Sequence, residues 1–134
     1  MYSLQDIFKQ AEKDYHSKIL SGKGFVSFLC YGFKVVKEEE SDEVKIIDMT
    51  NGGDFYNEVT SDVYYTFQSL GWKKAIYILY MNNCRLKLSR LEIRIKNALV
   101  NNESVKHIRK LKASREQILR NFNKVKINYS INEK

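Results

Sequence analysis

Apolar residues in the second half of the chain recur alternately every three and four positions, which is the spacing of a helical heptad stripe. The stripe runs from position 63 to position 98, and Lys74 is its one polar member. Its apolar members are Val63, Phe67, Leu70, Tyr77, Met81, Cys84, Leu88, Leu91, Ile95 and Ala98. A second stripe recurs every seven residues on the opposite face and consists of Trp72, Leu79, Leu86, Ile93 and Val100. A helix with two apolar stripes needs cover on both sides, from this chain or from a second subunit.

Two predicted helices follow from this pattern. The Thr-Ser-Asp run at 60–62 can cap the first, which Gly71 ends or kinks because glycine costs about 1 kcal/mol in a helix interior. A long helix over 72–100 follows, and it would span about 43 Å at a rise of about 1.5 Å per residue. Positions 91–96 alternate as a strand would, yet the heptad pattern crosses them unbroken, so we predict helix there.

A last helix is predicted over 103–126, with Asn101 or Asn102 as its N-cap. Its apolar face consists of Val105, Ile108, Leu111, Ile118, Leu119, Phe122 and Val125. Arg115 lies inside that face and must reach solvent or pair with a carboxylate. Because short turns join antiparallel neighbours, the long helix and this one should form an antiparallel αα-hairpin. Residues 128–134 are expected to be a frayed tail.

The N-terminal segment predicts another helix. Ser3 and Asp6 have the spacing of a capping box, and apolar residues then follow helical spacing over 4–21. Gly22 is the expected residue just after the end of this helix.

The segment that follows predicts strands. Positions 24–37 are β-branched and aromatic on both faces and predict one strand, in which Gly32 marks a bulge or a close backbone approach. An acidic, solvated turn at 38–43 leads to a second strand over 44–50. Positions 54–59 are predicted as a short third strand, with a helical turn as the alternative.

These elements predict an α+β fold in a single domain. The order is an N-terminal helix, an antiparallel β-hairpin with three short strands as a possibility, and the antiparallel αα-hairpin of the long helix and the C-terminal helix. Residues 1–60 hold the first helix and the strands, and residues 61–127 hold the helical hairpin.

Charge divides the chain in the same place. The net charge is +7, but residues 1–60 carry 7 Lys and Arg against 11 Asp and Glu, a net of −4. Residues 61–134 carry 16 Lys and Arg against 5 Asp and Glu, a net of +11. Such an asymmetry favours an anionic partner for the second half, unless the acidic half masks the basic half within one molecule.

The basic residues of the helical hairpin are the candidate binding residues. On the last helix, one face carries Lys106, Arg109, Lys110, Arg120 and Lys124. The long helix adds Lys87, Arg90 and Arg94 on one flank, and Arg85 and Lys96 on the other. A surface of this kind is sufficient for binding the phosphate backbone of a nucleic acid. No base-reading motif accompanies it, so backbone and shape recognition is expected.

Aromatic residues cluster between positions 64 and 80. Core packing is the preferred interpretation for most of them. Four lie off the heptad stripe and are candidates for stacking on bases or for a protein hot spot, namely Tyr64, Tyr65, Trp72 and Tyr80.

Motifs for catalysis or for metal binding are not recognisable in the sequence. The Ser-Gly-Lys-Gly run at 21–24 lacks the first glycine of a P-loop and is better explained as the end of a helix and the start of a strand. Cys30, Cys84, His16 and His107 do not have zinc-site spacing, and the two cysteines are predicted core residues. We therefore predict neither an enzyme nor a cofactor or metal.

The compartment follows from what the sequence lacks. The N-terminal residues do not resemble a secretory signal, no apolar run is long enough for a membrane span, and two cysteines are too few for a disulfide framework. A cytoplasmic protein is expected. Frequent Lys, Ile and Asn suggest an AT-rich genome, bacterial or phage.

Two functions remain in the foreground. The first is a small non-enzymatic protein whose basic helical hairpin binds nucleic acid or a ribonucleoprotein through phosphates. The alternative is a protein–protein adaptor, an inhibitor or a self-assembling structural component that docks through apolar helix faces and aromatic residues. An enzyme ranks third, since no acid–base pair or activated nucleophile supports it.

Overall fold

The computed structural model describes residues 1–14, 17–22, 24–50 and 58–132, with side chains through residue 129. The elements in chain order are α1 (Leu4–Lys13), β1 (Lys18–Gly22), β2 (Phe25–Cys30), β3 (Phe33–Glu38), β4 (Val44–Asp48), α2 (Ser61–Leu70), α3 (Trp72–Val100) and α4 (Val105–Asn132). The α+β class and the C-terminal helical hairpin are thus confirmed. The chain divides into two compact units, Met1–Ile76 and Tyr77–Lys134.

Helix α1 begins at the predicted capping box. The Ser3 Oγ accepts a hydrogen bond from the Asp6 backbone N–H, and the Asp6 carboxylate accepts one from the Ser3 N–H, both at 3.1 Å. The Ser3 backbone N–H first, and the Ser3 side chain next, favour the ionised carboxylate by hydrogen bonding and lower the pKa of Asp6 below its ordinary value. Ile7 and Ala11 lie fully buried on the inner face of the helix.

The predicted extent of the first helix, 4–21, is wrong. The helix ends at Lys13, and β1 begins only five residues later. Ile19, which fits the helical periodicity, lies opposite Phe28 in an antiparallel pair and is 62% exposed. Backbone pairing along all five residues of β1 outweighs the weak local preference for helix. Gly22 accordingly ends a strand rather than a helix.

The single strand predicted over 24–37 is also wrong, because the chain reverses in its middle. Tyr31 and Gly32 both have positive φ, 46° and 85°, which is the conformation of a two-residue type I′ hairpin turn. Cys30 and Phe33 face each other on either side of this turn. Gly32 therefore forms a turn and not a bulge, and the turn lies close to Thr50, as the alternative of a close approach anticipated.

The four strands form one antiparallel sheet in the order β1-β2-β3-β4. The acidic residues at 38–43 connect β3 to β4 as predicted, and β4 ends two residues earlier than expected, at Asp48. Most of the predicted third strand at 54–59 lies outside the described residues. Glu58 forms an isolated antiparallel bridge to Ile47.

Aromatic packing organises the core of the first unit. Phe67 of α2 meets the edge of Phe33 at 5.7 Å between ring centroids and lies 5.6 Å from Trp72. Trp72 is fully buried, and its indole N–H donates to Ser17 Oγ at 3.0 Å. Its backbone N–H donates to Gln10 Oε1 at 2.8 Å, so that α1 and the start of α3 are joined by a partly buried hydrogen bond.

The predicted break between α2 and α3 is confirmed at Gly71. Thr60 caps α2, and its Oγ1 accepts from the Val63 N–H at 3.4 Å. Gly71 has φ 86° and ψ 172°, a region that only glycine adopts readily. Because glycine takes this conformation without strain, α3 can begin directly at Trp72.

The second unit contains the helical hairpin from Tyr77 onward. Leu91, Ile95 and Ala98 of α3 form a buried cluster with Leu111 of α4. Every apolar residue of the heptad stripe beyond Lys74 is buried or half-buried, as the periodicity predicted. The strand-like alternation at 91–96 lies within a continuous helix.

The turn of this hairpin does not use Asn101 or Asn102, the residues that the sequence predicted, as the N-cap of α4. Asn102 has φ 52°, its N–H donates to Leu99 O, and the Glu103 N–H donates to Ala98 O at 3.0 Å. This is the Schellman pattern, which ends α3 with Asn102 in the left-handed region. The N-cap of α4 is instead Ser104, whose Oγ accepts from the His107 N–H at 3.2 Å.

Helix α4 continues to Asn132, beyond its predicted end at 126, and the fraying of 128–134 stays a prediction. Tyr129 stacks on Tyr77 with 3.9 Å between ring centroids. The stacked pair extends the apolar seam of the hairpin by about one further turn of helix.

Gly71→Ala should destabilise the protein by about 2–3 kcal/mol, since alanine is strained at this φ and ψ. A Cβ there would also lie 2.9 Å from Gln10 Oε1, the acceptor for the Trp72 N–H, so relieving the contact weakens that hydrogen bond. Urea denaturation followed by the fluorescence of the sole tryptophan measures the change. Ser69→Ala, at an exposed position of α2, is the matched control and should stay within about 0.5 kcal/mol of the parent. An equally small change in Gly71→Ala would contradict the argument.

Candidate nucleic-acid interface

Five basic residues of α4 form the α4 basic stripe, which consists of Lys106, Arg109, Lys110, Arg120 and Lys124. All five are exposed. Leu111 and Val125 lie buried on the other side of the same helix, so helical periodicity turns the stripe away from α3. From first to last residue the stripe extends over about 27 Å at a rise of about 1.5 Å per residue.

The five predicted basic residues of α3 are exposed as well and form two rows, the α3 flanks. One flank is Lys87, Arg90 and Arg94, and the other is Arg85 and Lys96. Arg85 is held in place, since its Nη1 donates to Asn82 Oδ1 at 3.2 Å and its guanidinium lies 5.6 Å from the centre of the Phe122 ring.

The hairpin carries three acidic residues over positions 73–126, Glu92, Glu103 and Glu116, against fifteen Lys and Arg. Glu92 accepts from Arg115 Nη1 at 3.1 Å, which confirms that Arg115 pairs. Glu103 lies 3.9 Å from His107 Nε2. Among the residues described, none of the ten basic residues of the stripe and flanks forms an ion pair. The exposed face of the hairpin is therefore electropositive.

One polar residue beside the α4 basic stripe, Gln117, was missed in the sequence. Gln117 accepts from Arg120 Nη2 at 2.9 Å and donates from Nε2 to Asn121 Oδ1 at 3.1 Å. The contacts follow the i,i+3 and i,i+4 spacing of a helix surface, which could have indicated them. Gln117 thus orients the Arg120 guanidinium and adds an amide to the stripe.

The four candidate stacking aromatics do not share one surface. Trp72 is buried in the first unit, so its predicted role as an accessible aromatic is wrong. Its large apolar ring is covered because it fills the core beside Phe67. Tyr65 is exposed, whereas Tyr64 and Tyr80 are half-buried. Only Tyr65 among these four keeps a largely free ring.

Tyr64 and Tyr65 line a cavity of about 660 Å³ in the first unit, which the sequence did not reveal. It lies where α1, β4 and α2 meet, and its lining includes Gln5, Glu58 and Lys45. The Lys45 ammonium lies 3.8 Å from Glu43 and 3.7 Å from Glu58, so its charge is balanced by carboxylates. The cavity consequently lacks the surplus positive charge that distinguishes the hairpin.

The cysteines and the histidines that the structure describes do not form a reactive site. Cys30 and Cys84 are free and buried, as predicted for core residues. Burial raises the pKa of the Cys30 thiol to about 12, which disfavours the nucleophilic thiolate. His16 lies outside the described residues, and within the described ranges no three His, Cys, Asp or Glu side chains gather as a metal site would require.

The acidic run at 38–43 is solvated. Five of its six residues are exposed, and Lys37 lies 4.0 Å from Asp42. Such an open ion pair contributes little stability, and the run does not provide the contrasting environments that a catalytic carboxylate pair needs.

Known proteins do not indicate a function for the hairpin surface. No protein-family model matches the chain, and no curated protein or solved structure shows significant similarity to it. Over the described ranges, none of the helices combines the length and the apolar character needed to cross a membrane.

The Cys30 thiol should be almost unreactive in the folded protein. With a pKa of about 12 instead of 9.0, it holds about a thousandfold less thiolate at pH 8, and burial slows its reaction further. A disulfide reagent added to Cys84→Ser, in which Cys30 is the only remaining thiol, measures the rate. The same variant in denaturant is the control and should react fast.

A rate in the folded protein within tenfold of the denatured rate would contradict this burial. The raised pKa also fixes the sign of a pH effect. The neutral thiol favours the folded state below about pH 9, and that contribution is lost as pH rises towards 12.

Proposed function

We propose that this protein binds nucleic acid through the phosphate backbone, with the α4 basic stripe as the principal contact surface. The observation that carries the proposal is the set of exposed cations without carboxylate partners among the described residues. When an unpaired cation binds a phosphate, no free energy is spent on breaking an internal ion pair first.

The chemistry of the stripe suits phosphate oxygens. Arg109 and Arg120 offer planar guanidinium groups that can donate two parallel hydrogen bonds, and Lys106, Lys110 and Lys124 supply mobile point charges. Gln117 and Asn121 add amide groups beside Arg120. No base-reading motif accompanies these groups in the sequence, which favours contacts to the backbone over contacts to base edges.

The packing of the hairpin supports the same function. The buried cluster of Leu91, Ile95, Ala98 and Leu111 packs the inner face of α4 against α3, so the stripe lies on the outer face of a packed helix. A row of charges about 27 Å long on one helix can follow several successive phosphates of one strand or cross a groove. We propose backbone and shape recognition of DNA or RNA, free or within a ribonucleoprotein.

A binding role is proposed rather than catalysis. The buried cysteines, the solvated acidic run and the balanced Lys45 provide no activated group that would support a reaction. The alternative of a protein–protein adaptor has its own support in the exposed apolar residues of α3.

Neutralising the stripe with Arg109→Gln, Lys110→Gln and Arg120→Gln together should weaken binding to mixed-sequence oligonucleotides. Each lost phosphate contact lowers the slope of log affinity against log salt by about 0.7–0.9, so the triple variant should lose about 2–3 in slope. Fluorescence anisotropy with single- and double-stranded probes over a salt series measures both quantities.

The matched control combines Lys9→Gln, Lys13→Gln and Lys18→Gln, at exposed positions of the first unit. Both triple variants lower the net charge from +7 to +4, so they differ in the place of the charge and not in its amount. The control should keep most of the slope. Equal losses in the two variants, or no measurable binding by the parent protein at low salt, would refute the proposal.

A further inference from the structure

The outer face of α3 exposes a row of large apolar side chains. Leu86, Ile93 and Val100 are 55%, 60% and 72% exposed and recur every seven residues, about 10.5 Å apart along the helix. We call these three residues the outer stripe. They lie opposite the buried Cys84, Leu91 and Ile95, so the packing of α3 on α4 leaves them uncovered.

Basic residues border the outer stripe on both sides. On one side lies the α3 flank of Lys87, Arg90 and Arg94, and on the other side lies the α3 flank of Arg85 and Lys96. Both flanks are exposed, and neither forms ion pairs to described residues. The arrangement of an apolar row between two charged rows is the surface pattern of one partner in a helical pair. The charges specify that the facing helix carries acidic residues beside its own apolar row.

We propose that the outer face of α3 is a docking site for an acidic amphipathic helix of another protein. In that complex, apolar side chains of the partner would fill the spaces between the members of the outer stripe. Its Glu or Asp side chains would lie beside the α3 flanks. The site is distinct from the α4 basic stripe, so it adds a protein partner to the proposed binding of nucleic acid.

The charges argue against a second copy of this chain as the occupant. Two outer faces packed on each other would bring like-charged flanks together, which destabilises a helical pair. The narrowness of the row argues against a lipid surface, because helices that lie in a membrane interface bury a broad apolar face, whereas here Asn82 and Ser89 separate the apolar residues. Phosphate backbones offer no apolar surface that would cover the stripe.

The test uses a labelled synthetic peptide three heptads long, with Leu at the a and d positions and Glu at e and g. The intact protein should bind it at least about tenfold more tightly than a scrambled peptide of the same composition, in a fluorescence anisotropy titration at low salt. The charge-neutral double variant Leu86→Gln with Ile93→Gln should weaken binding at least about tenfold.

The matched control combines Leu119→Gln and Ile127→Gln, two exposed apolar positions of α4 outside the outer stripe. It should bind the peptide within about twofold of the parent. Because Leu86→Gln with Ile93→Gln leaves every charge in place, its oligonucleotide affinity should stay unchanged. The peptide result and the oligonucleotide result can therefore fail separately.

Several outcomes would overturn the proposal. They are equal binding of the scrambled peptide, unchanged peptide binding by Leu86→Gln with Ile93→Gln, and tighter binding of anionic phospholipid vesicles than of the peptide. A concentration-dependent dimer in sedimentation velocity that this double variant abolishes would overturn it as well, by assigning the face to a second copy.

Discussion

The seam between α3 and α4 is the interaction on which the functional surfaces depend. Leu91, Ile95 and Ala98 pack on Leu111, and the same heptad spacing continues to the stacked Tyr77 and Tyr129. Once the apolar face of each helix is fixed by burial, helical geometry decides where every other side chain points. The positions of the α4 basic stripe, the α3 flanks and the outer stripe are all consequences of that one choice. A shift of one residue in the seam would move each of these surfaces by about 100° around its helix.

The parts of the fold that the sequence predicts well are those set by long, regular patterns. The heptad stripe extends over many turns, so the bounds of α3 and the break at Gly71 follow from it. The errors lie where a few residues decide between alternatives. Residues 18–22 fit a helix locally but pair with β2. Tyr31 adopts a left-handed backbone conformation, which cannot be predicted from a tyrosine at that position. Pairing between strands is a property of the assembled sheet, and short windows of sequence do not contain it.

Some features of the candidate site could likewise be predicted from the sequence, and others could not. Exposure of the basic residues could be predicted, because charged side chains on the face opposite a buried stripe stay in contact with solvent. The fate of Trp72 could not be, since its burial depends on Gln10 and Ser17, which are more than fifty positions away in sequence. The cavity beside Tyr64 and Tyr65 depends likewise on elements from three parts of the chain. Periodicity shows which face of a helix is apolar, and only the fold shows what covers it.

The concentration of like charge on the hairpin has an energetic consequence. Lys106 and Lys110, and likewise Arg90 and Arg94, stand four residues apart on one helix, a spacing at which like charges destabilise the helix by a few tenths of a kcal/mol per pair. Of the described carboxylates on the hairpin, those at 92 and 103 pair with other residues. Glu116 is exposed and forms no ion pair with a described residue, so none of the three is paired with these four cations. An anionic partner that binds the folded hairpin would relieve this repulsion, and ligands that bind only the native state stabilise that state. The arrangement that weakens the free hairpin is therefore the same one that strengthens its complex with an anion, which links its folding to its proposed binding.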